Sequence, residues 1–87
     1  MNDSEQPKLE LDYPCRWEYR VIGAEESRIR SAIAEILGDR PYDARTGRRS
    51  EGGKWITVVV DLEVHDDEDR TSTYRRLLAQ PAVRVIL

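Results

Sequence analysis

Between Lys54 and His65 the chain alternates with a period of two, and this stretch limits the possible folds more than any other. Ile56, Val58, Val60, Leu62 and Val64 are all aliphatic, whereas Trp55, Thr57, Val59, Asp61 and Glu63 turn progressively polar and then acidic. Successive side chains of a β-strand point to opposite faces. The pattern therefore predicts a strand with one buried face and one that meets water or a partner.

The other elements arrange themselves around that strand. Cys15, Trp17, Tyr19 and Val21 alternate with Arg16, Glu18 and Arg20, which predicts a half-buried strand that Gly23 ends. From Glu25 to Leu37 the period changes: Ile29, Ala32, Ile33, Ile36 and Leu37 form one stripe of an amphipathic helix. Glu25 and Glu26 complement the dipole in its first turn, Glu26 is placed to pair with Arg30, and Gly38 followed by Pro41 stops it.

Residues 42 to 50 read as a weaker, arginine-rich edge strand with Tyr42, Ala44 and Thr46 inward. Glu51-Gly52-Gly53 turns the chain into the strong strand as a hairpin. Asp66 to Asp69 is a helix-start signal with a capping aspartate. Thr71, Tyr74, Leu77 and Leu78 are the expected buried stripe of the second helix, Pro81 stops it, and Val83 to Leu87 is a short last strand.

The order strand, helix, strand, strand, helix, strand, with one apolar face on each element, predicts an α+β ferredoxin-like βαββαβ sandwich. Right-handed crossovers give a four-stranded antiparallel sheet of order 4-1-3-2 with both helices on one face. The expected organisation is an acidic, disordered tail over residues 1–12, with Leu9 and Leu11 anchoring its end, and one domain over residues 13–87.

With 87 residues and a net charge of −3, the chain has the wrong sign for a generic polyanion binder. The single cysteine, Cys15, leaves no internal disulfide, and a cytoplasmic, reducing setting is expected. No apolar run approaches membrane-spanning length and no signal-peptide pattern opens the chain, so no membrane is expected among its partners.

Once the elements are placed, the segment Leu-Asp-Tyr-Pro-Cys-Arg-Trp-Glu-Tyr-Arg-Val-Ile-Gly, residues 11 to 23, resembles the opening of the YbeD-like bacterial proteins, a domain-of-unknown-function family. The likeness continues through the glycine turn before Lys54 and the aliphatic third strand to the terminus Val83 to Leu87. The resemblance implies a ferredoxin-like fold similar to regulatory ACT domains. It implies no activity and no catalytic residues.

Several residues invite a chemical reading. His65 before the aspartates suggests a cation site, but successive residues at a strand end diverge and the aspartates have a capping role, so no metal is expected. Cys15 lacks a redox or catalytic partner and reads as a small buried hydrophobe. The run from Arg40 to Lys54 is net positive; Arg45, Arg48 and Arg49 are candidates to grip a carboxylate or phosphate, or else to solvate an edge. Trp55 is the aromatic expected on the open sheet face, packed beneath arginine stems or in a contact. RNA-recognition sheets stack bases on two or three aromatics, and here charged residues surround one, so no nucleic acid is expected.

Gly23 lies where, by the ACT resemblance, a loop helps to form an effector pocket; a turn that needs glycine accounts for it as well. Ile86 is expected on the outer side of the last strand, whose bare edge would extend a sheet across a homodimer. The reading that fits all of this is a non-enzymatic regulatory or protein-interaction module, without cofactor, that binds an unidentified protein. The alternative is a small-molecule sensor at the Gly23 loop; a minimal enzyme or a nucleic-acid binder ranks below both.

Overall fold

The computed structural model describes residues 11–87, so the greater part of the expected 1–12 tail lies outside the described residues. In chain order the elements are β1 (Cys15–Gly23), α1 (Glu26–Leu37), β2 (Tyr42–Arg49), a 3₁₀ turn (Glu51–Gly53), β3 (Ile56–Val64), α2 (Asp67–Leu78) and β4 (Val85–Ile86). The sheet order is β2-β3-β1-β4, the ferredoxin-like arrangement expected, with β1 and β3 at the centre. β1 and β3 pair antiparallel from Cys15↔Val64 to Gly23↔Ile56.

The even face of β3 is the heart of the core. Ile56, Val58, Val60, Leu62 and Val64 join Tyr19 and Val21 of β1, Ile29, Ile33 and Leu37 of α1, and Leu77 of α2 in one buried cluster. Gly38 ends α1 at φ 58°, its N–H donating to the Ala34 carbonyl at 2.9 Å. Asp66 caps α2 by accepting the Asp69 N–H at 2.7 Å. The expected Glu26–Arg30 pair forms at 3.0 Å.

Three expectations need correction. On α2 the buried residues are Thr73 and Leu77, whereas Tyr74 and Leu78 are exposed and Thr71 is only half-buried. This helix is so sparsely apolar that its pattern does not fix its rotation, and the seating of Leu77 in the core decides it. Thr46 is exposed at the sheet margin, its hydroxyl donating to Glu26 and accepting from Arg30 instead of entering the core. Ile86 points inward at 6% exposure, opposite buried Val21, while Val85 is the outward residue at 40%. Pairing with β1 sets that phase, and the buried position takes the larger aliphatic side chain.

A polar clamp ties the two halves together. Arg40, after α1, forks onto both carboxylate oxygens of Asp69 in α2 at 2.9 Å each, and Asp69 also accepts the His65 N–H at 2.9 Å. Burial pushes the Asp69 carboxyl up, but the Arg40 and His65 bonds outweigh it and hold the group below its ordinary value.

Two tests follow from this packing. Val60→Asp should abolish cooperative folding by placing an unpaired carboxylate at a position of 0% exposure, while Asp61→Ala, facing away, should cost about 0–1 kcal/mol in urea unfolding. Equal behaviour would refute the face assignment. Arg40→Ala should cost about 1–3 kcal/mol at neutral pH. Because Asp69 titrates lower in the fold than in the unfolded chain, its contribution is present above the ordinary carboxylate range and lost as pH falls through the depressed value. The wild-type and Arg40→Ala stabilities should therefore converge on acidification.

Candidate functional site

Cations and carboxylates tile most of the open sheet face in pairs. Arg16 meets Asp61 at 2.6 Å, and Glu18 is shared by Arg20 at 3.1 Å and Arg45 at 3.5 Å. Elsewhere Arg30, Arg40, Arg70 and Arg75 have carboxylate partners too. Among the described residues Arg28, Arg48, Arg49, Lys54, Arg76 and Arg84 have no such ion pair, and all but Arg76 border or flank Trp55 at one corner of the sheet.

The β2–β3 hairpin builds that corner. The Ser50 N–H donates to the Trp55 carbonyl at 2.8 Å and the Trp55 N–H donates to Ser50 Oγ at 2.9 Å, closing a loop in which Gly52 and Gly53 take φ of 86° and 77°. Those positive angles are the reason for paired glycines in the turn. The pairing of β2 with β3 shifts register between Thr46 and Arg49, and both Arg48 and Arg49 line one hollow. An irregularity of this kind re-aims side chains at a strand end.

Trp55 stands half-buried between two concavities. Lys54 Nζ lies 5.2 Å and Arg84 Cζ 5.7 Å from its ring centroid, within cation–π range. On the sheet side a shallow hollow of about 690 Å³ has Ile22, Thr57 and Val85 with Trp55 as its apolar floor and Arg48 and Arg49 at its rim. On the other side a hollow of about 360 Å³ is lined by Ala24, Glu25, Arg28, Trp55, Ala82 and Arg84. Glu25 and Glu51 are the carboxylates among these linings.

Gly23 does not line either hollow. It is buried where the α2–β4 connection crosses β1, and a Cβ there would lie 2.2 Å from the Ala82 carbonyl oxygen and 3.0 Å from Ile29. Its role is close backbone approach, which sets the wall that Ala82 and Arg84 provide.

The sequence candidates thus divide. Arg48, Arg49 and Trp55 come together; Arg45 belongs to the ion-pair tiling; Ile86 is in the core. Sequence reasoning missed Arg28 and Arg84. Arg28 carried a readable signal, since a cation in the first turn of α1 opposes the helix dipole, and that end has no side-chain cap. Arg84 could be placed only by the fold. Cys15 is half-buried against the core. No group of three or more His, Cys, Asp or Glu side chains among the described residues is arranged to hold a metal ion.

Gly23→Ala should lose about 1–3 kcal/mol through overpacking against Ala82 and Ile29, measured by chemical denaturation. An unchanged midpoint would show that the crossing is looser than described.

Comparison with known proteins places this geometry in context. Residues 8–87 match the family described as "Protein of unknown function (DUF493)". An uncharacterised Campylobacter jejuni protein is 28% identical over 71 residues, covering 82% of each chain. A Neisseria gonorrhoeae "UPF0250 protein" is 25% identical over 91 residues, with 100% of each chain covered. Among solved structures, a Helicobacter pylori protein superposes with TM-score 0.77 at 23% identity over 98% of each chain. The ACT domain from a Chlorobium tepidum GTP pyrophosphokinase superposes with TM-score 0.59 at 14% identity, covering 83% of this chain and 94% of that one. The last two are similarities of fold.

Proposed function

The chain belongs to the DUF493 family of proteins of unknown function, and from that premise we propose that it is a non-enzymatic regulatory module of the cytoplasm that docks an acidic surface of a partner protein on its Trp55 corner. The observation that carries this reading is the sorting of charge. In a chain of net charge −3, the cations without a carboxylate partner gather around Trp55 at an apolar floor. Arg76, whose guanidinium donates to the Ile36 carbonyl at 3.2 Å, is the exception among the described cations.

An apolar floor that includes a half-buried tryptophan, with arginines at its rim, has the composition of a protein-binding hot spot. Unpaired guanidinium groups there steer an acidic partner and fix its orientation. Two copies meeting symmetrically through this corner would oppose like charges, which favours a different protein over a homodimer. The membership of an ACT domain in the same fold class is consistent with a regulatory part, and among the described residues no helix is long and apolar enough to cross a membrane.

Affinity capture by the tagged full chain tests this reading. Arg48→Glu with Arg84→Glu should lose the partner captured by the wild type, and Asp61→Ala should retain it. Capture should also weaken as ionic strength rises from about 0.1 M to about 1 M, where screening shortens from about 10 Å to about 3 Å. Equal recovery by all three proteins would refute the assignment.

The 360 Å³ hollow beside the β1–α1 loop favours a second reading, a small-molecule sensor, since its volume lies in the lower part of the range of ligand sites, about 300–1,000 Å³. A thermal-shift screen of amino acids and common metabolites should then find a ligand that stabilises the fold by about 2.7 kcal/mol at a hundred times its Kd. No shift with any compound, or a shift that survives Arg84→Glu, would count against this site.

A further inference from the structure

The backbone hydrogen bonds of β1 divide its residues between two neighbours. Arg20 N–H donates to the Leu87 carbonyl at 3.1 Å, Leu87 N–H to the Arg20 carbonyl at 2.9 Å, and Arg84 N–H to the Ile22 carbonyl at 2.7 Å. Even-numbered residues therefore face the β4 side, and by the alternation of the ladder the odd-numbered ones face β3. But β4 is only Val85–Ile86, set opposite Ile22 and Val21. Arg16 and Glu18 thus aim their N–H and C=O groups past the end of β4, with no strand beside them among the described residues.

A hollow of about 400 Å³ adjoins this bare edge, bordered by Trp17, Tyr19, Tyr74, Ile86 and Leu87. Tyr74 and Leu87 are 39% and 75% exposed, and Arg70 holds Trp17 in place from 5.1 Å above its ring. Unpaired strand groups beside an apolar recess are the elements of strand addition, in which main-chain bonds supply affinity and the recess supplies specificity.

We propose that this edge binds an extended segment of a partner polypeptide, running antiparallel to β1 in line with β4, whose sequence in N-to-C order is basic, apolar, acidic. Directly opposed residues of an antiparallel pair share a face. The residue across from Trp17 therefore enters the hollow and must be apolar. Its neighbours lie across from Glu18 and Arg16 on the open face, where opposite charge is favourable; these side chains are 37% and 60% exposed and within reach. A ligand without a peptide backbone would leave the outward N–H and C=O groups unmet. Leu87, already opposite Arg20, limits the segment, which must leave the edge just before the residue that faces Glu18. This proposal is independent of the Trp55 corner, which shares no lining residue with the hollow.

The test is NMR on the ¹⁵N-labelled full chain with the capped pentapeptide Ser-Lys-Leu-Glu-Ser at millimolar concentration. The Arg16 and Glu18 amide signals should shift and their hydrogen exchange slow by about tenfold, with little change on β2. The order-reversed peptide Ser-Glu-Leu-Lys-Ser should bind at least about threefold more weakly. The peptide N-methylated at Lys and Glu should not bind, and Tyr74→Ala should weaken binding while leaving the fold intact. Absence of any shift at Arg16 and Glu18, or equal binding of the N-methylated peptide, would overturn the proposal. So would protection of those amides without peptide, whether it grows with protein concentration, which would mean a second copy carrying Arg16-Trp17-Glu18, or disappears on removing residues 1–10.

Discussion

Everything in this molecule hangs on the pairing of β1 with β3. Their register, from Cys15↔Val64 to Gly23↔Ile56, puts Tyr19 and Val21 beside Val60 and Val58 on the same face, and α1 and α2 close over it. Burial of such aliphatic side chains contributes roughly 1.5–3 kcal/mol each, so the central pair is where folding free energy concentrates. The same register places Arg16 against Glu63 and Glu18 against Asp61 on the other face, close enough for Arg16 to bond Asp61. One alternation thus sets the core and the charge pattern together.

Charge at the two ends of β3 is used differently. At the acidic end Asp66 caps α2 and Asp69 is held by Arg40 and the His65 N–H, so those carboxylates close the structure. At the hairpin end the guanidinium groups around Trp55 make no ion pair, although Glu25 and Glu51 line the same hollows, and a cation stands in an uncapped first helical turn. Local rules of stability are relaxed at that corner, which is in keeping with the docking role proposed for it.

How much was legible in the sequence depended on how densely each element is patterned. β3 and α1 carry enough apolar residues for their phase to be unambiguous, and their buried residues are the expected ones except that Ile36 is half-buried and Val59, on the odd face of β3, is buried as well. α2 is nearly all polar, so the choice between Thr73 and Tyr74 as the inward residue was made by packing and not by period. β4 is too short for alternation to be read, and its phase came from Val21 across the ladder, which turned Ile86 in and Val85 out. Trp55, Arg48 and Arg49 were visible because the hairpin is local. Arg28 and Arg84 reach the same corner from α1 and from the α2–β4 connection, and contacts between segments so far apart in the chain have no signature in a single sequence.

The docking role proposed for the Trp55 corner is most directly tested by mapping hydrogen–deuterium exchange of the chain in complex with a protein recovered by the affinity capture. The account predicts added protection in residues 48–57 and 84–85, with the acidic end unchanged. Protection confined to residues 61–69 would contradict it, because the partner would then be reading the carboxylates that the fold already employs.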